Sequence, residues 1–365
     1  MTTVRDIANK LEAYAPLRYQ ESYDNSGLLV GDPSATVTGV LLSIDCTEEV
    51  LEEAKEKGCN MVVSHHPLIF RGLKQLTGRN YVQRCVAYAI KNDIALYACH
   101  TNLDKMPNGV SFRLAQKLGL KNIQPLATEE ETVYKLVTFV PNSHTEAVAD
   151  ALFKAGAGTI GEYDECSYRS SGNGTFKANN GCQPYCGTIG ERHTEPEDRL
   201  EVIVKACDKN KAIKALVNAH PYETPAFDLF ESKIGYSPVG LGCIGELEAE
   251  EDETDFLIRV KKLLGLGCIR HTALKGEKVR KVALCGGAGH EFLGLAEAMG
   301  ADMYLTSDIK YHEFFDAGTK TVLADVGHFE SEQFTKEIFY DVIYEKNSNF
   351  VIHKSEINTN PIKYL

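Results

Sequence analysis

Short apolar runs rich in β-branched residues recur at both ends of this 365-residue chain, each followed by a segment of helical spacing. TVTGVLLSID (36–45), NMVVSHH (60–66) and IALYACH (94–100) read as buried strands. CTEEVLEEAKEKG (46–58), with Thr47 as its N-cap, and NYVQRCVAYAIKN (80–92) read as the helices between them. The alternation returns with strands in VRKVALCGG (279–287), ADMYLTSD (301–308) and TKTVLADVG (319–327). The helices there are HEFLGLAEAMG (290–300), IKYHEFFDAG (309–318) and a long amphipathic HFESEQFTKEIFYDVIYEK (328–346). This order predicts an α/β fold, a parallel sheet covered by helices, with the two chain ends as related halves of one layer.

The middle of the chain breaks the pattern. Residues 131–234 read as strand, helix, two strands around a Gly- and Ser-rich hairpin, helix and strand, the order of a ferredoxin-like (α+β) split βαβ sandwich. The expected organisation is one α/β metal domain from 1–130 and 235–365, split by an insert at 131–234. The acidic run GELEAEEDETDF (245–256) is expected to be a solvated helix start.

Net charge is −12, so no basic field favours nonspecific nucleic-acid binding. An acidic site still accepts a phosphorylated substrate when metal ions supply the positive charge. The eleven cysteines are irregularly spaced and odd in number, which argues against a disulfide framework and for a reducing cytoplasm. No run approaches the roughly 18 apolar residues of a membrane helix, and the N-terminus lacks the apolar core of a secretory signal.

Where the strand runs stop, chemistry begins. NMVVS runs into His65-His66-Pro67, IALYAC into His100-Thr101-Asn102-Leu103-Asp104, and KTVLADVG into His328-Phe-Glu-Ser-Glu332. In parallel α/β sheets the functional edge lies at the strand ends, so these segments should converge. His328 and Glu332, four apart at a helix start, share one face. His65, His66, Asp104, His328 and Glu332 form a borderline donor set suited to Zn, Fe, Mn, Co or Ni as divalent ions. Five ligands exceed one tetrahedral site and suit two ions bridged by a carboxylate and a water or hydroxide. A lone histidine is more often structural; their joint occurrence at three strand ends carries the assignment.

Other residues leave alternatives open. His100 reads as a ligand neighbour, an orienting group or a general acid. Asp308 with His312 reads either as a contacting pair or as a helix cap beside a surface histidine. The glycines of CGGAGHE (285–291) fit a phosphate at a helix start or a tight turn, and Asp24 and Asn25 line a cleft or shape a turn. Cys182 and Cys186 have a CxxxC spacing but no second pair, so they are not read as a zinc site. His144, His193, His220, His271, His290 and His353 are read as solvated or structural.

The segments YDNSGLLVG (23–31), SIDCTEEVLEEA (43–54), VVSHHPLIF (62–70), HTNLD (100–104), GLGCIGEL (240–247), TSDIKYHE (306–313) and DVGHFESE (325–332) resemble, in order, those of the Nif-three-like dinuclear metal-centre family, also called GTP cyclohydrolase 1 type 2 homologues. That resemblance implies the same five metal ligands, an insert similar to CutA and PII proteins, and a toroidal homohexamer. Tyr23, Cys243 and Ser307 depart from the tryptophan, arginine and glycine common in the family. The expected function is a metal-dependent hydrolase of a nucleotide or another small phosphorylated or cyclic-amide substrate, with His100 or Asp308 carrying a proton. The alternative is a noncatalytic regulatory or metal-chaperone protein.

Overall fold

Thr47 accepts a hydrogen bond from the Val50 N–H and opens the helix Glu48–Glu56, and Asn80 does the same for Tyr81–Lys91. Between such helices lie short strands whose every side chain is buried, as strands covered on both faces require. The computed structural model describes residues 1–128, 131–161, 163–234, 239–344 and 350–365. The chain falls into two compact units, Met1–Thr128 with Pro238–Leu365, and Glu129–Ser237.

In chain order the strands are β1 (Gly27–Val30), β2 (Gly39–Ser43), β3 (Met61–Ser64), β4 (Ala95–Ala98) and β5 (Lys121–Thr128). The second unit holds β6 (Glu131–Pro141), β7 (Ser167–Lys177), β8 (Arg192–Lys205) and β9 (Phe227–Ile234). The first unit resumes with β10 (Gly240–Asp252), β11 (Arg270–His271), β12 (Lys278–Ala288), β13 (Met303–Ser307), β14 (Val322–Asp325) and β15 (Val351–Lys354).

The first unit contains two sheets rather than the single layer expected. One has the order β1-β4-β3-β2-β15, parallel except for β1; the other has β11-β14-β13-β12-β10-β5, parallel only across β12, β13 and β14. Alternation decides which face each residue serves. Val40, Leu42, Val63 and Tyr97 join Ile7, Leu11 and Phe339 in one core, whereas Leu41, Val62 and Leu96 join Leu51 and Ala89 in another. In the second sheet Leu284, Met303 and Leu305 face Phe256 and Val260, and Ala283, Tyr304 and Leu323 face Leu293.

Three local expectations are corrected. The segment expected as one helix over 328–346 forms His328–Glu332 and Thr335–Ile343, and residues 345 and 346 lie outside the described residues. At the break, the Thr335 hydroxyl donates to the Glu332 carbonyl and that of Ser331 to the His328 carbonyl, side-chain bonds that compete with the helix ladder. The acidic run extends β10 to Asp252 before the helix Glu253–Leu264 begins, because its backbone finds β12 and β5 as neighbours. The segment 309–318 forms a 3-10 helix over Tyr311–Asp316.

The second unit is an antiparallel sheet of order β7-β8-β6-β9 with helices Thr145–Lys154 and Lys209–Ala219, packed on Leu136, Leu152, Leu200 and Leu216. Its element order is that of a split βαβ sandwich. Among the described residues no helix is long and apolar enough to cross a membrane.

Candidate metal centre

Where β3 ends, the backbone N–H groups of His65 and His66 both donate to the Ile44 carbonyl, at 3.0 and 2.9 Å. This turn around a single oxygen cancels the strand rule that would send adjacent side chains to opposite faces. The ring centroids of His65 and His66 lie 4.9 Å apart. Beyond β4, His100 precedes the helical turn Thr101–Asp104. From the other sheet, β14 is followed by Gly327 at φ 75° and the turn His328–Glu332, and β13 by Asp308 at φ 55°. The strand ends of two sheets thus supply one cluster.

Each imidazole is held by one nitrogen, leaving the other directed inward. The Nδ1 atoms of His65, His66, His100 and His328 lie 2.9, 2.7, 2.8 and 2.7 Å from the Cys99 carbonyl, Asp45 Oδ1, Asp24 Oδ1 and Asp308 Oδ2. With Nδ1 donating, Nε2 is left with a lone pair, the form in which histidine binds metals. His66 Nε2 lies 3.0 Å from Glu332 Oε2 and 3.2 Å from His328 Nε2. His65 Nε2 stands 3.6 Å from both Asp104 Oδ1 and Glu332 Oε1. His65 Nε2, Asp104 Oδ1 and Glu332 Oε2 are buried without a hydrogen-bond partner.

Buried polar atoms without partners are costly, and the spacing of these lone-pair atoms says what would satisfy them. Two donors on one tetrahedral ion with bonds of about 2.1 Å stand about 3.4 Å apart. The distances above cluster around that value. The residues fit divalent metal binding, and two donor groups qualify: His65, His66 and His100, and His66, His328 and Glu332.

Burial pulls the His66 ring down, but Glu332 and Asp45 outweigh it and raise it to about 10. Burial likewise opposes the charge on His328, which Glu332 and Asp308 push up to about 11. Burial disfavours the Glu332 carboxylate too, yet His65, His66 and His328 hold it well below the usual range. The centre is built for positive charge.

All five expected ligands, together with His100 and Asp308, come to this place. Asp308 contacts His328 instead of capping a helix, while His312 is exposed, edge-on to Tyr311 and tilted against Phe315. Asp24 does both: it holds His100, its Oδ2 accepts from Thr101 N–H and Oγ1, and it shapes its own turn by accepting from Asn25 N–H and Ser26 Oγ. The glycines of 285–291 serve close approach, since a Cβ on Gly287, at φ +69°, would meet Glu332 Oε1 at 2.4 Å. Asp45 was missed; its position two residues past β2, matching His66 two residues past β3, was the available signal. Cys243 is buried with its thiol on the Ser111 carbonyl at 3.4 Å, and Tyr23 is exposed.

The Duf34/NIF3 (NGG1p interacting factor 3) family matches residues 2–361. A Staphylococcus epidermidis protein named GTP cyclohydrolase 1 type 2 homolog is 35% identical over 99% of both chains. A Staphylococcus aureus protein of the same name is 36% identical over 99% of this chain and 100% of its own. The solved structure of a Bacillus cereus protein related to NIF3 has a TM-score of 0.87 at 37% identity, covering 100% of this chain and 99% of that one. Matching fold, matching length and identity above 30% agree, and the chain belongs to the Duf34/NIF3 family.

Proposed function

We propose that the protein is a metal-dependent hydrolase holding two divalent ions between His65, His66, Asp104, His328 and Glu332, and acting on a nucleotide or another small phosphorylated or cyclic-amide substrate. The observation that carries this reading is the convergence of tethered imidazoles on unpartnered buried carboxylate oxygens. Zn, Fe, Mn, Co and Ni all suit the donors. Ions bound there would supply Lewis acidity and make water reactive near neutral pH.

The chain's own residues divide the remaining work. Glu332, buried among three imidazoles, would hold an ion with His66 and His328, and its Oε1 lies 3.6 Å from His65 Nε2. Asp45 and Asp308 orient His66 and His328, so the proton-carrying role considered for Asp308 passes to His100. Asp24 holds His100 Nδ1, which leaves Nε2 as the atom that takes or gives a proton. The name carried by the Staphylococcus relatives supports a purine nucleotide as the first substrate to test.

The test is elemental analysis of the purified protein joined to a substrate screen with each metal. His65→Ala and Asp104→Ala should lose metal and turnover together. Turnover that survives in metal-free variants overturns the hydrolase reading. Metal retained without turnover on any phosphorylated or cyclic-amide substrate supports the regulatory or chaperone alternative. A homohexamer is the proposed assembly, checked by light scattering at six times the chain mass.

A further inference from the structure

In the Glu129–Ser237 unit, β8 carries His193, Glu195 and Glu197 at alternate positions, hence on one face of the sheet. The segment 178–191, which joins β7 to β8, brings Cys186 back to that face. His193 Nε2 lies 2.8 Å from Glu195 Oε2, and the donor atoms of Cys186, His193 and Glu195 all lie within 4.8 Å of one another. None of the three is fully buried or fully exposed. Gly187 permits the approach: at φ +80°, a Cβ there would come 2.8 Å from His193 Cβ. Beside the cluster opens a cavity of about 700 Å³ whose walls include Phe176, Cys182, Tyr185, Glu197 and Tyr222. Phe176 stacks edge-on against His193 at 5.4 Å, which joins the cavity wall to the cluster.

We propose that Cys186, His193 and Glu195 form a second metal site, for one zinc-like divalent ion, additional to the histidine–carboxylate centre. The donor chemistry argues for the ion. A thiolate selects against magnesium and calcium, and a thiolate, an imidazole and a carboxylate together suit zinc or cobalt. Three protein ligands are the number with which zinc keeps a fourth position for water or a small ligand, and the adjoining cavity has room for one. A cation replaces the proton that His193 and Glu195 share, and draws in a thiol carried on a connecting segment rather than on the sheet. The sequence showed only a CxxxC spacing without a second pair; the fold joins one of those cysteines, Cys186, to a histidine and a glutamate from β8.

Cobalt distinguishes this site from the other one, because thiolate ligation gives a near-ultraviolet charge-transfer band that imidazole and carboxylate do not. Metal-free, full-length protein titrated with Co²⁺ alone should develop this band, saturating at one thiolate-bound ion per chain, and Zn²⁺ should bleach it. Cys186→Ser should abolish the band, and His193→Ala should weaken cobalt binding at this site by roughly tenfold or more. Cys182→Ser and His65→Ala should both retain it, the latter showing independence from the proposed hydrolase centre. Circular dichroism of Cys186→Ser checks that the fold is intact, and Glu195→Gln, which keeps the thiol, should lower affinity while leaving the band. A band absent from wild type, or one that survives Cys186→Ser, overturns the proposal.

Discussion

At the scale of single residues, the centre is defined as much by what holds the imidazoles as by the imidazoles themselves. Asp45 reaches the centre through His66 Nδ1, 2.7 Å from its Oδ1, while its Oδ2 accepts from Thr359 Oγ1. Asp45→Asn should therefore weaken metal binding about 10–100-fold while leaving the fold intact, measured by competition with a chelator and by circular dichroism. Gly287→Ala has two handicaps, a positive φ of +69° and a Cβ aimed at Glu332 Oε1. It should cost about 1–2 kcal/mol of stability from the backbone conformation alone, read by urea unfolding, and should displace Glu332 from the metal. The histidines and carboxylates were legible as a set because they cluster at strand ends. Asp45 and Gly287 were not, because their importance lies in contacts with residues far along the chain.

At the scale of elements, β15 is tied to the helix Glu48–Glu56 through one carboxylate. Glu53 accepts from Ser355 Oγ at 2.5 Å, from Glu356 N–H at 2.9 Å and from Lys57 Nζ at 2.8 Å. Burial works against its charge, but Lys57, Ser355 and the Glu356 N–H outweigh burial and lower the carboxyl below its ordinary 4.5. A lowered folded-state pKa means the stabilisation is fully present above 4.5 and is lost as pH falls through the folded value. Urea midpoints of the wild type should fall across that acidic window, and Glu53→Gln should flatten that part of the dependence. Strand and helix identities were largely readable from periodicity. The break after Glu332 was not, since hydroxyl-to-carbonyl bonds at Ser331 and Thr335 leave no mark on apolar spacing.

At the scale of the whole molecule, the two compact units have separate cores, one around Leu136, Leu152 and Leu200, the others around the two sheets of the first unit. Leu200→Ala should cost about 2–5 kcal/mol in the second unit alone. Calorimetry should show one transition shifted downward, with metal content at the histidine–carboxylate centre unchanged; a uniform shift of all unfolding would contradict independent cores.

The sequence by itself determined the α/β character, the strand-end histidines and carboxylates, and the different order of elements in residues 131–234. Those follow from local periodicity and residue chemistry, which need no partner to be read. Only the tertiary structure decided that the first unit has two sheets, that His65 and His66 turn around one carbonyl, and that Cys186 meets His193 and Glu195. These depend on which strand edges pair and which segments fold back, and such long-range closures are set by the packing of the whole chain rather than by any one window of it.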